Sequence, residues 1–156
     1  MTRRYLSDAS TLIALAACGR LPVLRALTSR VHVTPAVLRE ALVEKPGAAA
    51  VRGAVDEGWI VPIKGKGTLS GLGPGEASLI LVAKRDDVLI LDDRAARLEA
   101  KSRGLRVAGL LGLLVHGVRT KKIRPEEALA TLDALAAGSF RMTSALYAWA
   151  HGELSR

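Results

Sequence analysis

Val88-Leu89-Ile90-Leu91-Asp92-Asp93-Arg94 is a run of four apolar residues that stops at two adjacent carboxylates and leads into a helix-like segment, Arg94 to Arg103, closed by Gly104. A short, entirely apolar run bounded by polar residues reads as a strand covered on both faces, the pattern of a parallel sheet. Parallel neighbours need a crossover, usually a helix, so helices are expected on either side of it. Upstream, Pro74-Gly75-Glu76 opens a helix reaching Lys84, with proline in its first turn. Downstream, Arg106-Val107-Ala108 offers a last short strand.

The same alternation extends to the N-terminus. Tyr5-Leu6 leads through Ser7-Asp8-Ala9-Ser10 into apolar residues at Leu12, Ile13, Ala16 and Ala17, spaced as on a helix face and ending at Gly19. A short helix from Pro22 to Leu27 follows, then a strand at Val31-His32-Val33. Thr34-Pro35 supplies an N-cap and a first-turn proline for the helix that carries Glu40. Gly47 to Glu57 reads as another helix, stopped by Gly58. Trp59 to Ile63 is extended, with Pro62 placing it at a sheet edge. Lys64 to Gly75 is a glycine-rich loop. Three helices close the chain, across Leu110–Val118, Pro125–Ala137 and about Thr143–Glu153. Strands alternating with helices predict a doubly wound α/β fold, whose ligand site lies beyond the carboxyl ends of the strands. The apolar face of Leu110, Leu111, Leu113, Leu114 and Val118 fits either the core or a subunit interface.

At 156 residues, the chain has the size of one domain. It is 49% hydrophobic but 3% aromatic, so Leu, Val, Ile and Ala must build the core. Twenty-three Lys and Arg against 15 Asp and Glu give a formal charge of +8, which favours polyanionic partners. One Phe, two Tyr and two Trp provide no evident base-stacking platform. The single Cys18 excludes an internal disulfide and fits a reducing cytoplasm. Arg3-Arg4, an apolar run and Cys18 imitate an export signal, but Asp8, Ser7, Ser10 and Thr11 interrupt it. The other apolar run, Val107–Val118, is too short to span a bilayer, so no membrane segment is expected.

Against this basic background, Asp8, Glu40, Glu76 and Asp92-Asp93 all fall at strand ends or in the helices that follow them. Carboxylates about 4 Å apart repel by roughly 4 kcal/mol at an effective dielectric near 20, so a converged cluster must take up protons or a cation. The histidines at 32, 116 and 151 have no paired ligand spacing. An all-oxygen donor set favours Mg²⁺ or Mn²⁺ over zinc. Each acid also has an ordinary reading: Asp8 as an N-cap, Glu40 as a solvated surface residue, Glu76 as a helix-dipole partner, and one of Asp92-Asp93 as the cap of the next helix. Competing chemistries lack their motifs: no GxGxxG or P-loop lysine-serine pair stands in the glycine loop, and there is no GxSxG. Asp8-Ala9-Ser10 has no neighbouring second aspartate of the kind a receiver-like phosphoryl site uses.

The ordered set Leu6-Ser7-Asp8-Ala9-Ser10, Pro35-Ala36-Val37-Leu38-Arg39-Glu40-Ala41-Leu42, Gly75-Glu76-Ala77 and Leu89-Ile90-Leu91-Asp92-Asp93-Arg94 resembles the PIN-domain family. The Gly-Pro-Gly-Glu-Ala junction, the Asp-Asp-Arg strand end and the tail Phe140-Arg141-Met142-Thr143 are similar to its PIN-like branch of predicted nucleic-acid-binding or VapC-like toxin proteins. The resemblance implies a three-layer sandwich, a short, mainly parallel sheet flanked by helices. Residues 1–118 would form the core and residues 119–156 a helical extension packed on the same domain.

The resemblance further implies a divalent-metal-dependent endoribonuclease. Asp8, Glu40, Glu76 and Asp93 carry onto the acidic site, Asp92 is the alternate for the last acid, and Ser10 takes the supporting hydroxyl position. Many family members have aspartate where this chain has Glu76. A homodimer and an antitoxin partner are implied by the same likeness, and RNA is the implied substrate. Among the basic residues Arg94 ranks first for phosphate contact, ahead of Lys64 and Lys66. The competing expectation is a PIN-like module that binds RNA or a protein without efficient catalysis.

Overall fold

The structure, a computed structural model, describes residues 3–43 and 46–156. Five parallel strands form one sheet in the order β3-β2-β1-β4-β5, with β1 Tyr5–Ser7, β2 Val31–Val33, β3 Ile60–Pro62, β4 Val88–Ile90 and β5 Arg106–Ala108. Helices flank this sheet to give the three-layer α/β sandwich. They are α1 Ala9–Ala17, α2 Leu21–Thr28, α3 Pro35–Leu42, α4 Ala48–Glu57, α5 Pro74–Val82, α6 Arg94–Ser102, α7 Leu110–Arg119, α8 Pro125–Ala137 and α9 Ser144–Leu154.

Local chemistry sets most of these boundaries. Asp8, Thr34, Asp93 and Thr143 cap α1, α3, α6 and α9, each side chain accepting a backbone N–H from within its helix's first turn. Pro62 ends β3 at the sheet edge, where its missing N–H breaks no ladder. The central strand carries Leu6 in register with His32 and Leu89, and Leu6, Val31 and Leu89 are all at 0% exposure. Leu12, Leu15, Leu24, Leu79 and Leu110 complete the core, each contributing about 1.5–3 kcal/mol by burial.

The apolar face of α7 belongs to this core: Leu110, Leu111, Leu113 and Leu114 are all buried, which resolves the choice left open above. Gly117 is what lets α7 close on α2, because a Cβ there would collide with the Leu27 side chain. Helices α8 and α9 then pack on α7, contributing Leu132, Leu135, Ala150 and Leu154 to the same cluster.

The strand order reverses at β1. From it the chain steps outward to β2 and β3, then returns to its other side with β4 and β5. Ser7 therefore lies in register with Ile90, and the residues after each strand emerge side by side at the switch point where α/β sheets place their ligands. At the opposite end of β4, Arg4 clasps Asp87 through two hydrogen bonds of 2.9 and 2.7 Å.

Candidate functional site

The switch point brings Asp8 and Asp92 together. The Asp8 N–H donates to the Ile90 carbonyl at 3.0 Å, extending the β1–β4 ladder by one residue. Its carboxylate is then fully engaged: Oδ1 accepts from the Thr11 N–H at 2.9 Å, and Oδ2 from the Asp92 N–H at 3.1 Å. Asp8 is 2% exposed and is thus both the cap of α1 and the floor of the site. Burial, and next the Asp92 charge, push its carboxyl up to about 7, against the opposing pull of hydrogen bonds from Thr11 and the Asp92 N–H. Two acids held against the sheet end cannot both be ionised cheaply.

Asp92 is fixed from its other side. Its Oδ2 accepts the Thr11 hydroxyl at 3.0 Å, and Oδ1 faces the Leu110 N–H at 3.5 Å. Burial raises its carboxyl above the usual range, partly offset by Thr11, Leu110 and the Arg97 charge. Arg97 is itself anchored, donating to the Leu91 carbonyl at 2.9 Å.

The remaining acids come from three helices. Asp93 is exposed and caps α6, its Oδ2 accepting from Ala96 N–H at 3.0 Å. Glu76, half-buried in the first turn of α5, reaches back to the Gly73 N–H. Burial first, then the charges of Asp93 and Glu40, raise its carboxyl above the ordinary range despite that hydrogen bond. Glu40 sits exposed near the end of α3. Gly75 permits the approach of α3 to α5, since a Cβ there would stand 3.3 Å from Val37 Cγ2 and 3.4 Å from Glu40 Oε2.

A cleft of about 490 Å³ opens among these elements, lined by Ser10, Glu40, Asp92, Asp93, Arg94 and, from the loop between α8 and α9, Ser139, Phe140 and Arg141. Asp8 lies behind its wall, and Glu76 is coupled to it through Asp93 and Glu40. Lys64 and Lys66 are elsewhere: with Arg39, Pro35 and Pro74 they line a separate pocket of about 570 Å³. Composition and spacing gave no role to Thr11 or Arg141, and offered Arg97 only as a phosphate contact, whereas it holds the Leu91 carbonyl. Arg141 stood out only as part of the tail motif, and no local signal announces that this loop folds back over the acids.

The donor set consists of oxygens, and neighbouring negative charges push the Asp8 and Glu76 carboxyls upward, which a hard divalent cation relieves. Among the described residues, no three acidic, histidine or cysteine side chains stand close enough to cage an ion. No helix among the described residues is long and apolar enough to cross a membrane. No curated protein matches the chain. A family model described as DUF3368: PIN domain matches residues 4–155. On that match, which spans nearly the whole length, the chain belongs to the PIN-domain family.

Proposed function

We propose that this protein is a divalent-metal-dependent endoribonuclease and the toxin component of a toxin–antitoxin pair, acting in the cytoplasm. The observation that carries the reading is the gathering of acids from four separate parts of the chain at one sheet end, where burial raises the carboxyls of Asp8, Asp92 and Glu76 and neighbouring acids add to the rise at Asp8 and Glu76. A +8 chain that concentrates negative charge at a single cleft suits a polyanionic substrate drawn in by the surrounding field and a cation bound within.

In this reading Asp92 and Asp93, with Glu40 and Glu76, hold Mg²⁺ or Mn²⁺. Asp8 orients Asp92 from below and adds its charge. Bound there, the ion would polarise a water and the phosphodiester for hydrolysis. Thr11 fixes the Asp92 carboxylate, as Arg97 fixes the strand end before it. Ser10, Arg94 and Arg141 line the cleft, Ser10 in the supporting hydroxyl position and the two arginines to meet the phosphates flanking the scissile bond. Lys64 and Lys66 would contact the strand farther along, beyond α3. A homodimer and a silencing antitoxin are carried by the family resemblance.

The test is cleavage of a mixed RNA pool by wild type and Asp93→Asn, each with Mn²⁺ and with chelator. Metal-dependent products that the variant lacks support the nuclease. One observation favours the second reading, a PIN-like module that binds without cutting: among the described residues, no three acids form a cage. RNA bound in a salt-dependent manner, without products under any metal, would establish that reading instead.

A further inference from the structure

A second cavity, of about 430 Å³, adjoins the acidic cleft and shares Asp92, Phe140 and Arg141 with it. Its other walls include Arg97, Leu146 and Trp149. Helix α9 buries Ala150 and Leu154 against the core. On the same helix Trp149 and Leu146 remain 46% and 39% exposed. Trp149 therefore presents part of its ring on the lining of this cavity, an aromatic surface able to receive another ring.

We propose that this cavity is a stacking subsite for one unpaired base of an RNA substrate, adjacent to the phosphodiester that lies in the acidic cleft. The inference rests on the nuclease reading for the identity of its neighbour. Three features select the occupant. The shared wall of Asp92, Phe140 and Arg141 makes the two cavities contiguous, so a strand seated in one extends into the other. The cavity couples an aromatic face to two guanidinium groups, Arg97 and Arg141, which matches a base joined to a phosphate. A second copy of this +8 chain would instead bring like charge against those arginines. A base within a duplex is already stacked on its neighbours, so the subsite favours single-stranded segments. Counting aromatics predicted no stacking platform; folding brings Phe140 and Trp149, nine residues apart, onto the lining of one cavity.

Tryptophan fluorescence reads this directly, because Trp59 is 5% exposed whereas Trp149 is about half exposed. The full chain is titrated in chelator, so that nothing is cut, with a single-stranded adenine-rich oligoribonucleotide and with inorganic polyphosphate. Trp149→Leu and Trp149→Phe, which lack the reporter, are compared with wild type by the anisotropy of the same oligonucleotide carrying a dye, with circular dichroism as the control for folding. The oligonucleotide is expected to quench wild type and polyphosphate to leave it unchanged. Trp149→Leu should weaken RNA binding roughly 5- to 150-fold, the range for losing one stacked base, and Trp149→Phe should restore most of it. Equal quenching by polyphosphate, or quenching by raised protein concentration alone, would overturn the subsite. RNA binding that is indifferent to Trp149, or no RNA binding in chelator, removes the subsite but leaves standing the nuclease reading, which metal-dependent cleavage tests. If Trp149→Leu is misfolded, wild type and Trp149→Phe decide the matter.

Discussion

Replacing Asp8 by asparagine should change stability with a sign that depends on pH. In the folded chain the carboxyl sits at about 7 rather than the ordinary 3.8, driven by burial and then by Asp92. Because the folded value lies above the unfolded one, the folded protein holds a proton that the unfolded chain releases between about pH 4 and pH 7. Stability is therefore highest below this window and is lost as pH rises through it. The full displacement corresponds to about 4 kcal/mol at 1.36 kcal/mol per tenfold change. Asparagine removes that electrostatic cost and keeps an acceptor for the Thr11 N–H. Its amide, however, meets the Asp92 N–H donor-to-donor, where the carboxylate accepted at 3.1 Å. Leaving that group unsatisfied costs about 1–3 kcal/mol. Urea melts in chelator should thus show Asp8→Asn about 1–3 kcal/mol less stable than wild type at pH 4 and about 1–3 kcal/mol more stable at pH 8. With Mn²⁺ in place of chelator, wild type should gain stability by mass action and the variant much less. A stability difference that stays flat from pH 4 to pH 8 would refute the assignment of Asp8 as a buried, proton-holding acid.

Asp93→Asn retains a good helix cap, so its melting should move by less than about 1 kcal/mol while RNA cleavage falls on the order of 100-fold. A melting change as large as the activity loss would mean that Asp93 is only a cap. Gly75→Ala puts a methyl against Val37 and Glu40; melts should record a cost of about 1–3 kcal/mol, and Mn²⁺ affinity should weaken as Glu40 is displaced. Arg4→Met strands Asp87, which is 4% exposed, and should cost about 2–4 kcal/mol at pH 7 with the metal requirement unchanged. Burial raises the Asp87 carboxyl, but the Arg4 and Lys84 hydrogen bonds and charges outweigh it and leave the carboxyl below 3.8. Its contribution is present above that pH and disappears as pH falls through the lower folded value, so the variant should lose less stability than wild type on acidification below about pH 4.

The local grammar of this chain was readable residue by residue. Thr34-Pro35 announces the start of α3, the apolar run at Val88 announces β4, Pro62 announces an edge, and Asp8 and Asp93 occupy cap positions that the structure confirms. These features depend on backbone propensities and hydrogen bonds spanning three or four residues, which a sequence carries in full. The acids could be named as a group for the same reason, since strand ends are local features. Their arrangement is not local. That Asp8 touches Asp92 follows from β1 and β4 being neighbours, 84 positions apart in sequence, a consequence of strand order rather than of either segment. The α7 leucines fit a core and an interface equally well until packing against α2 and α9 covers them. Lys64 and Lys66 are separated from the acids, and Arg141, Phe140 and Trp149 are brought beside them, by crossovers and a returning loop. Their placement reflects the free energy of burying shared apolar surface, a property of all the elements together that no single stretch of chain encodes.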